Sequence, residues 1–126
     1  MKNKLLLLCF ILVGGYLVES LKKNREFNDV YNNGKSYATS NLVLYILSAP
    51  KNDNNRYGLS VSKRIGNAVV RNKIKRRLRE IIREFEKKFN FKSYDIIFIA
   101  RNPVVDLNYK QIKRDVKILY KKSGLI

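Results

Sequence analysis

The chain has 126 residues and 14.8 kDa, a length for one domain, and its 45% hydrophobic content supports an ordinary core and argues against disorder. Lys and Arg number 27 against 10 Asp and Glu, so a formal charge of +17 works against a compact fold unless an anionic partner compensates, and nucleic acid is the first candidate. Histidine is absent and Cys9 is the sole cysteine, which excludes an intrachain disulfide and a Cys/His zinc cluster.

The first elements differ from the rest. In "MKNKLLLLCFILVGGYLV", Lys2 and Lys4 precede an apolar run from Leu5 to Val13 and then Gly14 and Gly15, the layout of a charged n-region, an h-region and a small-residue cleavage site. The run to Val18 is shorter than the roughly 20 residues that cross a bilayer. Residues 1–17 are therefore expected to be a signal-like extension or to lie upstream of the true start, with Val18 a candidate initiation codon and 18–126 the folded domain.

From Ser20 the chain reads as a compact α+β unit. Asn24 is placed to cap a helix through Asn33 that carries Phe27, Val30 and Tyr31 on one stripe, with Gly34 as its stop. "NLVLYILSAP" from Asn41 is a β-prone run ended by Pro50, and "KNDNN" supplies turn residues. "RYGLSVS" alternates Tyr57, Leu59 and Val61 against smaller or polar residues, as the second strand of a hairpin with that run would. Asn67 is placed to cap a long helix over 68–89. "YDIIFIA", 94–100, predicts a buried strand that Pro103 stops, and Asn108 a cap for a last helix over 109–122 with Ile112, Val116, Leu119 and Tyr120 on one face.

In the long helix, Val70, Ile74, Leu78, Ile81, Ile82, Phe85 and Phe89 share an arc of roughly 120°, a core-facing stripe. Opposite lie Asn72, Lys75, Arg76, Arg79 and Arg83, with Lys73 and Arg77 on a flank and Arg71 at the stripe's edge. A charge run on a helix is ordinarily a solvated face. Here the first carboxylate is Glu80, so the N-terminal half lacks the i,i+4 partners that Glu80, Glu84 and Glu86 offer further along. Its cations also sit at the positive end of the helix dipole. Lys63 and Arg64 extend the same zone, and a phosphate-rich ligand resolves these conflicts, Arg holding phosphate through its bidentate fork. Phe27, Tyr31, Tyr37, Tyr45 and Tyr57 on the first helix and hairpin have two readings, core filling or a stacking platform for single-stranded RNA.

The run "GLSVSKRIGNAVVRNKIKRRLRE", 58–80, resembles the signature of the protein subunit of bacterial ribonuclease P, and the similarity extends through "LKKNREFNDVYNNGKS", "LVLYIL" and "YDIIFIARNP" over about 20–122. The family's arginine-asparagine-arginine motif stands here as Arg71, Asn72 and Lys73, the last keeping charge but not the bidentate fork. The resemblance implies a single-domain α+β sandwich of order α-β-β-β-α-β-α, a short strand near 35–39 and a left-handed crossover through the long helix, against the usual hand. It also implies a role in assisting a catalytic RNA that removes the 5′ leader of precursor tRNA. By the same resemblance Arg71, Asn72, Lys73, Lys75, Arg76 and Arg79 would meet the catalytic RNA, and Phe27, Tyr31, Val43 and Tyr45 would form the leader cleft, with Lys63 and Arg64 near its junction.

The residues agree about catalysis. Protein-borne phosphodiester hydrolysis needs a general base, metal-holding carboxylates or an activated nucleophile. Asp29, Asp53, Asp95, Asp106 and Asp115 are scattered, and Asp95 is a candidate partner for a nearby Arg within the fold. The expectation is no catalytic or metal-ligating side chain, Mg²⁺ held by RNA, the ribonuclease P RNA subunit and precursor tRNA as partners, and a cytoplasmic location. The rivals are a non-enzymatic RNA/DNA-binding protein of ribosomal type, which needs no aromatic cleft, and a peripheral membrane protein, for which the basic helix lacks an exposed apolar face.

Overall fold

The computed structural model describes residues 10–13 and 16–126, with side chains from Glu19 onward. Lys2, Lys4, the run from Leu5 to Cys9, Gly14 and Gly15 lie outside the described residues. Strands β1 (Phe10–Val13) and β2 (Tyr16–Ser20) precede helix α1 (Asn24–Asn33), followed by β3 (Lys35–Ala38), β4 (Leu42–Ser48) and β5 (Arg56–Ser60). Helix α2 (Ala68–Lys88), β6 (Tyr94–Ala100), a 3₁₀ turn over Asn102–Asp106 and α3 (Tyr109–Lys122) complete the chain. From α1 onward the order is the α-β-β-β-α-β-α of the α+β sandwich expected from the sequence. Strands β1 and β2 add to it, where an apolar run had suggested an h-region.

One sheet of order β1-β2-β5-β6-β4-β3 runs through the molecule. The expected hairpin between β4 and β5 does not form. β6 lies between them, antiparallel to β4 and parallel to β5, so β5, α2 and β6 make a crossover unit. The reason is burial. Ile96, Ile97 and Phe98 are fully buried on alternating sides, so β6 needs cover on both faces and takes the centre, while the half-buried alternations of β4 and β5 flank it.

The sheet separates two apolar clusters. On one side, Leu42, Leu44, Ile46, Tyr57, Ile96 and Phe98 meet Ile74, Leu78, Ile81, Ile82 and Phe85 of α2 and Ile112, Val116, Leu119 and Tyr120 of α3. Both helix faces are those the periodicity predicts, with Val70 and Phe89 packed at the margin. On the other side α1 lays Val30 over Ile97 and Leu21, edged by Phe27, Tyr31, Tyr45, Leu47 and Ile99.

Helix ends follow local chemistry. Asn67 Oδ1 accepts from Val70 N at 3.0 Å, and Asn108 exchanges hydrogen bonds with Gln111 in a capping box, as expected. Asn24 does not cap α1. It is already helical, and the Glu26 carboxylate takes the Lys22 and Lys23 N–H groups at 3.1 and 2.9 Å instead, a charged acceptor at the positive helix end. Gly34 stops α1 as expected, because an added Cβ would sit 2.6 Å from the carbonyls of Ile46 and Val30.

Candidate nucleic-acid interface

Strand parity builds the first part of the site. On the α1 side of the sheet, residues in register form two cross-strand rows: Ser60, Ile99, Val43 and Ala38, then Gly58, Ile97, Tyr45 and Ser36. Helix α1 is short and buries Gly58 and Ile97 of the second row, while Ser60, Ile99 and Val43 of the first row, and Tyr45 farther along the second, stay half-buried. Phe27 lies directly on β5, where a Cβ on Gly58 would come within 2.5 Å of its ring, so only glycine admits the contact. Tyr31 bridges outward: its ring stands edge-on to Tyr45 at 5.0 Å and 6.5 Å from Phe27. Burial pushes the Tyr31 hydroxyl above its ordinary value, opposed by a hydrogen bond with the Ser60 side chain, so it is neutral at physiological pH.

Phe27, Tyr31, Val43 and Tyr45 are thus brought together as a half-open aromatic surface. Tyr37 and Tyr57 are not part of it. Tyr57 pairs with Ile96 and Tyr37 with Leu44 in register, which turns both to the α2–α3 side. Tyr57 is 4% exposed and donates to Glu86, with burial first and then Tyr120 and Glu86 holding its hydroxyl well above the ordinary value. Lys63 and Arg64 are exposed in the turn that leaves β5 beyond Ser60, closed by Ile65 N donating to Ser62 O at 3.0 Å.

Helix α2 supplies the cations. Asn72, Lys73 and Arg76 are exposed, while Arg71, Lys75 and Arg79, four residues apart, form a half-buried row along one flank. Two of the row face the edge of β5: Lys75 and Arg79 line a cavity of about 160 Å³ together with Leu21, Phe27, Gly58 and Leu59. The basic helix and the aromatic surface therefore meet at Phe27. The Nε atoms of Arg71, Arg79 and Arg83 are enclosed with no acceptor among the described residues. Arg77 is different; it donates to Leu107 O at 3.0 Å and anchors the segment before α3.

The carboxylates of α2 do not serve as i,i+4 partners. Glu84 accepts from Lys113 and Tyr109 of α3, and the Lys113 bond first and then Tyr109 hold its carboxyl below the ordinary range. Glu86 accepts from Tyr57 and, at 2.9 Å, from Asn55 Nδ2. Glu84 and Glu86 thus spend their charge on the fold, while Lys73, Lys75 and Arg76 in the first half of α2 have no acidic partner among the described residues.

Elsewhere, Asp95 forms the ion pair expected of it: Arg56 Nε and Nη2 meet its two oxygens at 2.8 and 2.7 Å, and Arg56 Nη1 reaches Glu26 at 2.5 Å. This ties β5, β6 and the start of α1 together. Asn55, read from the sequence as a turn residue, is 4% exposed and joins Glu86, Phe91 O and Tyr94 N. No residue spacing announces that role. Asp115 accepts from Thr39 and Asn41, each at 2.8 Å. Among the described residues no group of three His, Cys, Asp or Glu side chains is placed to hold a metal ion, and no helix is long and apolar enough to cross a membrane.

The sequence profile of the Ribonuclease P family matches residues 18–124. The chain belongs to the ribonuclease P protein family. It is 47% identical over 105 residues to the ribonuclease P protein component of Bacillus velezensis, covering 83% of this chain and 89% of that one. Against the Clostridium botulinum protein component it is 44% identical over 117 residues, covering 86% and 91%. The solved ribonuclease P protein of Staphylococcus aureus superimposes with a TM-score of 0.76 at 39% identity over 84% of this chain and 95% of that one. That of Thermotoga maritima gives 0.72 at 27% identity over 82% and 96%. The ribonuclease P fold thus carries both the aromatic surface and the basic helix described above.

Proposed function

We propose that this chain is the protein subunit of ribonuclease P, an accessory to an endoribonuclease whose RNA subunit is the catalyst. Arg71, Asn72, Lys73, Lys75, Arg76 and Arg79 of α2 bind the catalytic RNA by replacing condensed counterions on its phosphates. Phe27, Tyr31, Val43 and Tyr45 receive the single-stranded 5′ leader of precursor tRNA, stacking bases against rings, with Lys63 and Arg64 following its backbone. Mg²⁺ held by the RNA supplies the chemistry of cleavage. The protein lowers the electrostatic cost of bringing two RNAs together in the cytoplasm, and residues 18–126 form the RNA-binding unit, with 1–17 an extension to it.

One observation carries this reading: the carboxylate-free half of α2 turns Lys75 and Arg79 toward Phe27, so phosphate-binding and base-stacking groups share one cavity wall. Reconstitution with the cognate RNA subunit at low Mg²⁺ tests it. Leader removal from precursor tRNA is expected to speed up on adding the protein, and identical rates with and without protein overturn the assignment.

A further inference from the structure

The last helix carries a second basic surface that the function above leaves unused. At about 100° per residue, Lys110, Arg114, Lys117 and Lys121 fall within roughly 60° of one another, in a row roughly 16 Å long. All four are exposed and none has a partner among the described residues. They lie away from the buried face of Ile112, Val116, Leu119 and Tyr120. The only carboxylate of α3, Asp115, is taken by Thr39 and Asn41. Lys113 and Lys122 are also committed, to Glu84 and to Ala38 O. The four row cations thus repel one another at i,i+3 and i,i+4 spacing with no carboxylate partner among the described residues.

The row is set apart from the basic flank of α2. Lys113 and Tyr109 join Glu84 across the α2–α3 seam, and Phe85 and Tyr120 stack beneath it with ring centres 5.4 Å apart. Glu84 lies on the seam side of α2, whereas Lys75 and Arg79 face β5. One ion pair, Lys113 with Glu84, therefore sits at the seam between the two positive surfaces. The α3 row also lacks the feature that suits α1 to single strands. Both tyrosines of α3 are engaged, Tyr120 fully buried and Tyr109 bonded to Glu84, and the large apolar side chain exposed on α3 is Ile118. A row of cations without rings matches the backbone of a stem better than splayed bases.

We propose that Lys110, Arg114, Lys117 and Lys121 form a second RNA-binding surface, which grips the phosphate backbone of an RNA stem while α2 and the aromatic cleft engage other RNA. The class of polyanion rests on the RNA-binding function proposed above; the surface itself does not depend on the leader cleft. The protein is then a clamp with two basic jaws on separate helices.

The test uses the full chain, a blunt RNA duplex without loops, and a single-stranded leader oligonucleotide, each titrated at several salt concentrations. Replacing Lys110, Arg114, Lys117 and Lys121 together with Gln should weaken duplex binding at least tenfold. It should also reduce the salt slope by about three to four phosphate equivalents, near one per cation removed. At physiological salt, where charges beyond roughly 8 Å are screened, leader-oligonucleotide affinity should change little. Circular dichroism should show an unchanged or higher thermal midpoint, since repulsion is relieved. An unchanged duplex slope overturns the second surface, as does an equal loss for duplex and single strand. A parallel Lys73→Gln, Arg76→Gln variant separates the two proposals: if it also leaves all RNA binding intact, the α2 assignment fails, whereas loss there with none on α3 sinks the second surface alone.

Discussion

The two faces of the sheet use the same residue types to opposite ends. On the α2–α3 side, Tyr57 and Tyr120 are almost wholly buried, Tyr57 bonded to Glu86 and Tyr120 ringed by Phe85, Phe91 and Phe98 at 5.3 to 6.0 Å. On the α1 side Tyr31 meets Tyr45 edge-on and Phe27 at a tilt, with part of each tyrosine open. The difference arises from cover. Helices of 21 and 14 residues close one face, and a helix of 10 residues leaves a strip of the other uncovered. An aromatic on β4 or β5 becomes core or site according to strand parity alone.

The closed face should show the largest response to truncation. Phe98 is fully buried beneath Tyr120, so Phe98→Ala is expected to cost about 3–5 kcal/mol of unfolding free energy, read from a urea or guanidinium midpoint. A cost below about 1 kcal/mol would show that this face is not packed as a core. A smaller effect is expected where polar groups stitch α2 to the sheet. Glu86→Ala leaves the buried Tyr57 hydroxyl without its acceptor, at about 1–3 kcal/mol, although Asn55 Nδ2 retains Phe91 O at 2.8 Å. Adding Tyr57→Phe should recover part of that loss, and additive costs in the double variant would argue that the two groups are uncoupled.

Much of this division was legible in the residues. The stripes of α2 and α3, the caps at Asn67 and Asn108 and the carboxylate gap before Glu80 are local patterns, and each appears where its spacing puts it. Adjacency was not legible. The β4–β5 hairpin is locally plausible, and only the demand of β6, which follows more than thirty residues later, for cover on both faces separates the two strands. Asn24 does not cap α1 because the helix starts one residue earlier than expected: the Glu26 and Phe27 N–H groups it would have capped donate to Lys23 O at 2.9 and 3.2 Å. Strands β1 and β2 were hidden because an apolar run of that length reads equally as strand or as h-region. In the site, the apolar stripe of α2 predicted which way its cations turn but not what they would meet: with Leu78 and Ile82 packed in the core, Lys75 and Arg79 come to face β5 and Phe27.

The open face should respond least in stability and most selectively in binding. Tyr31 and Tyr45 are half-buried, and their loss exposes the edge of a small cluster around Val30 and Ile97 without opening the main core. Tyr31→Ala with Tyr45→Ala should therefore shift the unfolding midpoint less than Phe98→Ala does. Each stacked base contributes on the order of 1–3 kcal/mol, so the double variant should bind precursor tRNA at least tenfold more weakly. Mature tRNA, which has no leader to stack, should bind as before. Equal losses for precursor and mature tRNA would move these rings from ligand contact to scaffold, and would make the open face an incomplete core in place of a binding surface.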